Sequence, residues 1–350
     1  MSTSTWKLID DNIVVFDKKT GEPTELKHSA IVNSSLTYKY WDYLAWSAAS
    51  LKNSEVLSVG FGAGTFAQLL EKWGIPSKGI GIEVDPNYKE LNDSLTSYKV
   101  KYCDFTEGLS QIHNNFDTII IDVYDENGYV DAAYGVEAIK TYLSLKKDNG
   151  RMVIHCLDIL GTLLAAEVPL PTSSSILSTM IQRIKTVTDE PIYIVPLWSS
   201  YLIWVGPPPK SIETEKKPVK WLDTFLKSRM IKIDLPEGPN ISELAVPWTY
   251  LQLEKINKGI LLDLNTFAPE ELKKFNILLN LVGPILKVKL SQKEINSIKN
   301  SLFEINNDAS LHAASFILAT IGNWTDAFGV LEGKKLSNPR WMKADLYKVK

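Results

Sequence analysis

With 350 residues, 45% of them hydrophobic and 23% charged, the chain can bury a full core and reads as one large domain plus a smaller one. A formal net charge of -3 argues against a surface that wraps nucleic acid, and two cysteines, Cys103 and Cys156, in or beside apolar runs argue against a disulfide framework. The N-terminus has no apolar signal region and no run is long enough to span a bilayer, so the expectation is a soluble protein of a reducing cytoplasm, without nucleic-acid or membrane partners.

Residues 1–50 open with IDDNIVVFDKKTGEPTEL, a hairpin pattern around Lys19-Thr20-Gly21. An aromatic-rich stretch follows, in which Tyr40, Tyr43, Leu44 and Ala48 carry the spacing of a helix laid on a core.

Residues 51–206 alternate strand and helix. Strands are expected at Val56–Val59, Gly79–Glu83, Tyr98–Tyr102, Thr118–Asp122 and Met152–Cys156. A helical segment at Ser173–Val187 leads to two more strands, Ile192–Pro196 and Tyr201–Val205. The pattern predicts an α/β fold, a seven-stranded, mostly parallel doubly wound sheet ending in an antiparallel hairpin. PPPKSIETEKKP, after Gly206, marks a linker at 207–218 by its prolines and charges. Beyond it, 219–350 reads as mainly helical, with a capping-box pattern at Ser291 and Glu294 and two short helices in 311–333 meeting near Gly322.

The chemistry-bearing residues fall at strand carboxyl ends. Gly60-Phe61-Gly62-Ala63-Gly64 leaves the first strand and enters a helix predicted at Thr65–Trp73; its glycines permit close backbone approach and positive φ. Glu83 closes the next strand about 20 residues on, where a carboxylate can hold two ribose hydroxyls. Asp85 before Pro86 reads as a helix cap. Asp104 stands where an adenine amino group could donate, and also fits a cap before a helix at Thr106–Ile112. Asp122 and Asp125 follow the fourth long strand and precede the long loop ENGYVDAAYG; two carboxylates there would attract a cationic amine and take its proton, or would simply form a solvated acidic turn. His155 lies in an apolar strand and reads as a core residue. No Cys/His spacing suggests a metal site.

The order of glycine loop, Glu83, Cys103-Asp104 and Asp122-x-x-Asp125 resembles the spermidine/spermine synthase family of polyamine aminopropyltransferases over roughly residues 5–206. The resemblance implies a Rossmann-like class I methyltransferase fold behind a small N-terminal β domain, here with a C-terminal helical extension. It implies decarboxylated S-adenosylmethionine as co-substrate, without a metal, and a small-molecule polyamine or other amine as acceptor. Residue by residue, Gly60, Gly62 and Gly64 would line the donor, Glu83 would hold its ribose and Asp104 its adenine. Asp122 would be the catalytic acid of the motif, Asp125 its second acid, and Tyr38 a wall of the acceptor pocket. Members form dimers, so the resemblance also implies a homodimer.

One departure stands out. The family's loop typically reads Gly-Gly-Gly-Asp-Gly, with the Asp holding the donor's ammonium; here that place is Ala63. Losing such a charge-assisted contact, roughly 1.5–3 kcal/mol, weakens selection of the decarboxylated donor. The wording after Asp122 also departs, reading Val-Tyr-Asp-Glu. Aminopropyl transfer is therefore the leading expectation and S-adenosylmethionine-dependent methyl transfer the alternative. A nucleoside-binding scaffold acting through its C-terminal helices is a third.

Overall fold

The computed structural model describes residues 6–9, 11–16, 23–51, 53–125, 128–157, 176–196, 200–233 and 308–335, with single positions between 293 and 304. The chain forms two compact units. One takes residues 1–123, 141–153 and 209–219; the other takes 124–140, 154–208 and 220–350.

In the first unit, β1 (Trp6–Ile9), β2 (Asn12–Phe16) and β3 (Pro23–Ala30) form a three-stranded sheet, antiparallel throughout. The expected hairpin is β2–β3, with its tip at 19–21 outside the described residues, and β1 adds a strand before it. Helix α1 (Tyr40–Ala49) follows, with every residue but Tyr40 buried. Only four residues join it to β4 (Ser54–Val59).

Then come α2 (Thr65–Trp73), β5 (Ser77–Glu83), a 3-10 turn at Pro86–Tyr88, α3 (Lys89–Leu95), β6 (Lys99–Tyr102), α4 (Phe105–Ser110) and β7 (Phe116–Ile121). Two-residue strands β8 (Tyr124–Asp125) and β9 (Gly128–Tyr129) pair with each other, and α5 (Val136–Ser144) leads into β10 (Lys146–Leu157). The remaining elements are α6 (Ile176–Lys185), β11 (Ile192–Pro196), β12 (Ser200–Val205), α7 (Lys217–Arg229), β13 (Ile231–Ile233), α8 (Asp308–Thr320) and α9 (Trp324–Gly329).

The main sheet has the order β13-β11-β12-β10-β7-β4-β5-β6. Strand β4 is parallel to both β5 and β7, and β5 to β6, whereas β11 is antiparallel to β12 and β13. All seven expected strands are present, in the Rossmann-like class I methyltransferase arrangement. An eighth, β13, extends the sheet beyond β11 and shields its edge with buried Ile231 and Ile233. The apolar runs of β4 and β7 put Val56, Leu57, Val59, Ile119, Ile120 and Ile121 wholly out of solvent. From β4 the chain steps outward to β5 and β6, then returns to β7 on the other side. That reversal opens a crevice at the carboxyl ends of β4 and β7, where ligands of such sheets bind.

Strand β10 begins six residues before its expected start. Its polar opening, KKDNGR, is held in the sheet because Lys147 pairs with Glu55 at 2.9 Å and Asp117 at 3.0 Å. In the second unit, Trp221 stacks on Phe225 and meets Phe316 and Trp324, while its indole N–H donates to Ser315. Helices α8 and α9 meet at Gly322, which takes φ +77°, as expected. The capping-box pattern at 291–294 lies outside the described residues. No described helix is long and apolar enough to cross a membrane.

Candidate functional site

The glycine loop leaves β4 at the crevice. Gly60, Gly62 and Gly64 all adopt positive φ. At Gly60 the reason is close approach as well: a Cβ there would stand 2.1 Å from the Asp122 carbonyl oxygen. The loop therefore lies directly against the end of β7, where the Asp122 amide donates to the Val59 carbonyl at 2.9 Å. Phe61 folds under the loop, its ring filling the space beside Gly81 and packing on Phe66 and Tyr98.

Every N–H of this loop has an internal acceptor. Those of Gly60 and Phe61 donate to the Ile82 carbonyl, Gly62 to Glu83 Oε2 at 2.6 Å, Ala63 to Ser29 Oγ at 2.9 Å, and Gly64 to the Phe61 carbonyl. The carbonyls of Gly62, Ala63 and Gly64 accept from Asn92, from Gln68 and from the first turn of α2. Among the described residues, the Gly60 carbonyl is the loop's open polar group. A loop without a free donor cannot cradle a phosphate or a carboxylate, unlike the glycine loops of dinucleotide-binding sheets, which offer their N–H groups. It suits a neutral or cationic group.

Glu83 closes β5 beside this loop. Its Oε1 accepts from the Asp85 amide at 3.0 Å and its Oε2 from Gly62, and the Val84 amide is a third backbone donor, which leaves the carboxylate one open acceptor site for a hydroxyl. Burial pushes its pKa above the ordinary carboxylate range and the nearby Asp85 charge adds to this, while the backbone N–H groups of Asp85, Gly62 and Val84 oppose it. Asp85 caps the Pro86–Tyr88 turn by accepting from Asn87, as expected. Val84, between the two acids, is 57% exposed and offers an apolar face next to the carboxylates. Asp104 caps α4: its Oδ1 accepts from the Thr106 amide and hydroxyl, leaving Oδ2 without a partner among the described residues. The helix it caps is shorter than expected, ending at Ser110.

Ala63 is fully buried. It clusters with Ile13 and Tyr88, and Trp6, Leu91 and Tyr102 pack around them. Trp6 stacks on Tyr88 with ring centroids 5.0 Å apart. The N-terminal sheet thus supplies a wall of the loop's surroundings. Side-chain bonds to the backbone stitch it there: Thr65 Oγ1 accepts from the Ala30 amide, and Gln68 Oε1 accepts from the Val32 amide at 2.9 Å.

Asp122 is half-buried at the carboxyl end of β7. Asp125 ends β8, paired with Gly128 of β9; its carboxylate lies outside the described residues, so the two acids are not brought together by an observed contact. The loop expected after them is partly ordered by a 3-10 turn at Asp131–Tyr134, where Arg183 pairs with Asp131 at 3.0 Å and donates to the Tyr134 carbonyl. Tyr38 precedes α1 at φ +57°, and Asp42, 1% exposed, accepts from the amides of Thr37 at 2.8 Å and Tyr38 at 2.6 Å. His155 is buried, with Tyr124 edge-on to its ring. No cluster of three or more metal-binding side chains occurs among the described residues.

Reading by residue type and spacing missed Ser29, Gln68, Asn92 and Asp42. Asp42 alone left a trace, as an acid in the first turn of a predictable helix.

No protein-family model matches the chain, and no curated protein matches it in sequence. Among solved structures, it is similar to a probable spermidine synthase from Corynebacterium glutamicum, at 16% identity over 64% of this chain and 88% of that one, with a TM-score of 0.43. It is also similar to human methyltransferase-like protein 13 in complex with SAH, at 14% identity over 50% and 85%, TM-score 0.39. A TehB-like SAM-dependent methyltransferase from Corynebacterium glutamicum matches at 15% identity over 48% and 88%, TM-score 0.35.

Proposed function

We propose that the chain is a transferase using an adenosyl sulfonium donor, and that it transfers an aminopropyl group from decarboxylated S-adenosylmethionine to an amine. The observation that carries this reading is the loop Gly60–Gly64, whose N–H groups all have internal acceptors. A donor tail passing along it meets the Gly60 carbonyl and the Asp122 carboxylate, both of which favour cationic groups. The tail carboxylate of the ordinary donor would find no free N–H on this loop, and a desolvated anion without a hydrogen-bond donor is costly. Glu83 receives a ribose hydroxyl, Val84 flanks the base and Asp104 Oδ2 accepts from its amino group.

In the reaction, the acceptor nitrogen attacks the methylene next to sulfur. The N–C bond forms as the C–S bond breaks, the electron pair stays on sulfur, and methylthioadenosine leaves. Asp122 orients the attacking amine and accepts its proton, with Asp125 adding negative charge. Alignment of nitrogen, carbon and sulfur supplies much of the rate.

Methyl transfer is the second reading, favoured by one observation: Ala63 sits in an apolar cluster where a carboxylate would have marked the decarboxylated donor. Incubation with both donors and a panel of di- and polyamines, followed by product masses, separates the two. An added aminopropyl mass supports the first reading, and an added methyl mass replaces it with the second.

A further inference from the structure

The peptide unit between Gly62 and Ala63 is gripped at both ends by side chains from outside the loop. Its carbonyl, on Gly62, accepts from Asn92 Nδ2 of α3 at 2.9 Å, and its N–H, on Ala63, donates to Ser29 Oγ of β3 at 2.9 Å. One end therefore faces α3 and the other the N-terminal sheet. The other N–H groups of the loop end on β5 residues or within the loop itself. Gly62 sits at φ +55°, and glycine moves between backbone regions at little steric cost, so the orientation of this peptide depends on what grips it.

Asn92 is spent on that grip. It is 1% exposed, and its Nδ2 donates to the Gly62 carbonyl and to the Tyr102 hydroxyl at 3.1 Å, while its Oδ1 has no partner among the described residues. A buried acceptor left unmet destabilises a fold, so a leucine of similar outline would suit the packing alone at least as well. Turning the amide over brings no relief, because Oδ1 would then face the Gly62 carbonyl, acceptor against acceptor. Ser29 is also buried, on a strand that Thr65 and Gln68 tie to α2 through the Ala30 backbone. Both side chains thus come from fixed elements.

We infer that Asn92 and Ser29 are positioning residues that set which donor the loop admits. By holding the Gly62–Ala63 peptide across the loop, they keep its N–H on β3 and away from any carboxylate. With the grip released, the peptide can turn and offer a donor, and the loop gains the anion-holding character of other glycine loops. The inference rests on the transfer reading above and adds to it the side chains on which refusal of the carboxylate depends.

The test uses the full chain and a pair of ligands that differ only by the tail carboxylate, S-adenosylmethionine and its decarboxylated form. The Kd of each is measured by calorimetry without acceptor. The wild type should bind the decarboxylated donor about tenfold or more tightly than the ordinary one. Asn92→Leu and Ser29→Ala should each narrow that ratio about threefold or more, chiefly by strengthening the ordinary donor, and the double variant should narrow it further. Asn92→Leu should also leave the thermal midpoint nearly unchanged, since the unmet Oδ1 goes with the lost bond. A role in loop stability alone would weaken both donors alike and leave the ratio where it was. An unchanged ratio in whichever variants fold overturns the inference and leaves the transfer reading standing on the wild-type preference. A wild type that binds both donors equally, or neither, overturns the refusal on which the transfer reading rests, and this inference with it.

Discussion

Asp42 shows how two opposed effects meet on one side chain. Burial pushes its carboxyl up to about 7, against the pull of the hydrogen bonds from Thr37, Tyr38 and Lys39. A carboxyl whose folded pKa lies above its unfolded value keeps its proton longer in the folded state. Its contribution to stability is therefore full below the unfolded value and falls as pH rises toward about 7, then levels off. Asp42→Asn removes that dependence. Urea midpoints of wild type and variant, compared between about pH 4.5 and about pH 8, should shift in the variant's favour as pH rises. A constant difference would mean the hydrogen bonds keep the group ionised throughout. At this scale the sequence was legible where a residue acts through its position at a strand end. Glu83, Asp104 and the three loop glycines stand where spacing put them. Asp42 and Ser29 act through bonds to backbone that no spacing announces, and Ala63 revealed what is missing without revealing that an apolar cluster fills the place.

At the scale of elements, local signals were reliable and long-range ones absent. Helix α2 begins and ends where its glycines and apolar period place it, and Asp85-Pro86 opens its turn as the residues dictate. Strand β10 was expected only from Met152, the start of its apolar run, whereas it begins at Lys146, whose neighbour Lys147 pairs with Glu55 and Asp117 on adjoining strands. The join of β3 to α2 was invisible, since it consists of side-chain bonds across 34 to 38 residues. Gln68 is the centre of that join, bonding Val32, Ala30 and Ala63 from a buried position. Gln68→Ala leaves buried backbone groups without partners and should cost roughly 2–4 kcal/mol by chemical denaturation. It should also weaken methylthioadenosine binding, because the Ala63 carbonyl loses its anchor. Unchanged stability would show that β3 is held chiefly by apolar packing.

At the scale of the whole molecule, each compact unit is drawn from separated stretches of the chain, so neither can be cut out as one fragment. The composition break at 206–218 suggests a dispensable C-terminal part, but residues beyond it supply α7 and the edge strand β13. Deleting 219–350 strips β13 from β11 and bares an edge whose Ile192 and Ile194 are fully buried in the intact chain. Exposed apolar edges template association. The truncated chain should therefore elute as aggregates in size-exclusion chromatography; a soluble monomer with full catalysis would show the extension to be an accessory. The doubly wound order was legible because alternating apolar runs and helices permit few topologies. The contribution of residues past 219 was not, because a three-residue strand carries no period.

The internally satisfied glycine loop has a consequence for competition inside a cell. ATP, NAD and their relatives also carry adenosine, and they crowd out scarcer adenosyl compounds wherever a loop welcomes their phosphates. With its N–H groups already engaged, this loop offers such phosphates no free backbone donor, whereas the adenosyl donor proposed above asks for none from it. On the transfer reading proposed above, selectivity would be set by refusal: a cationic donor would be admitted where anions of the same base find no free N–H on the loop.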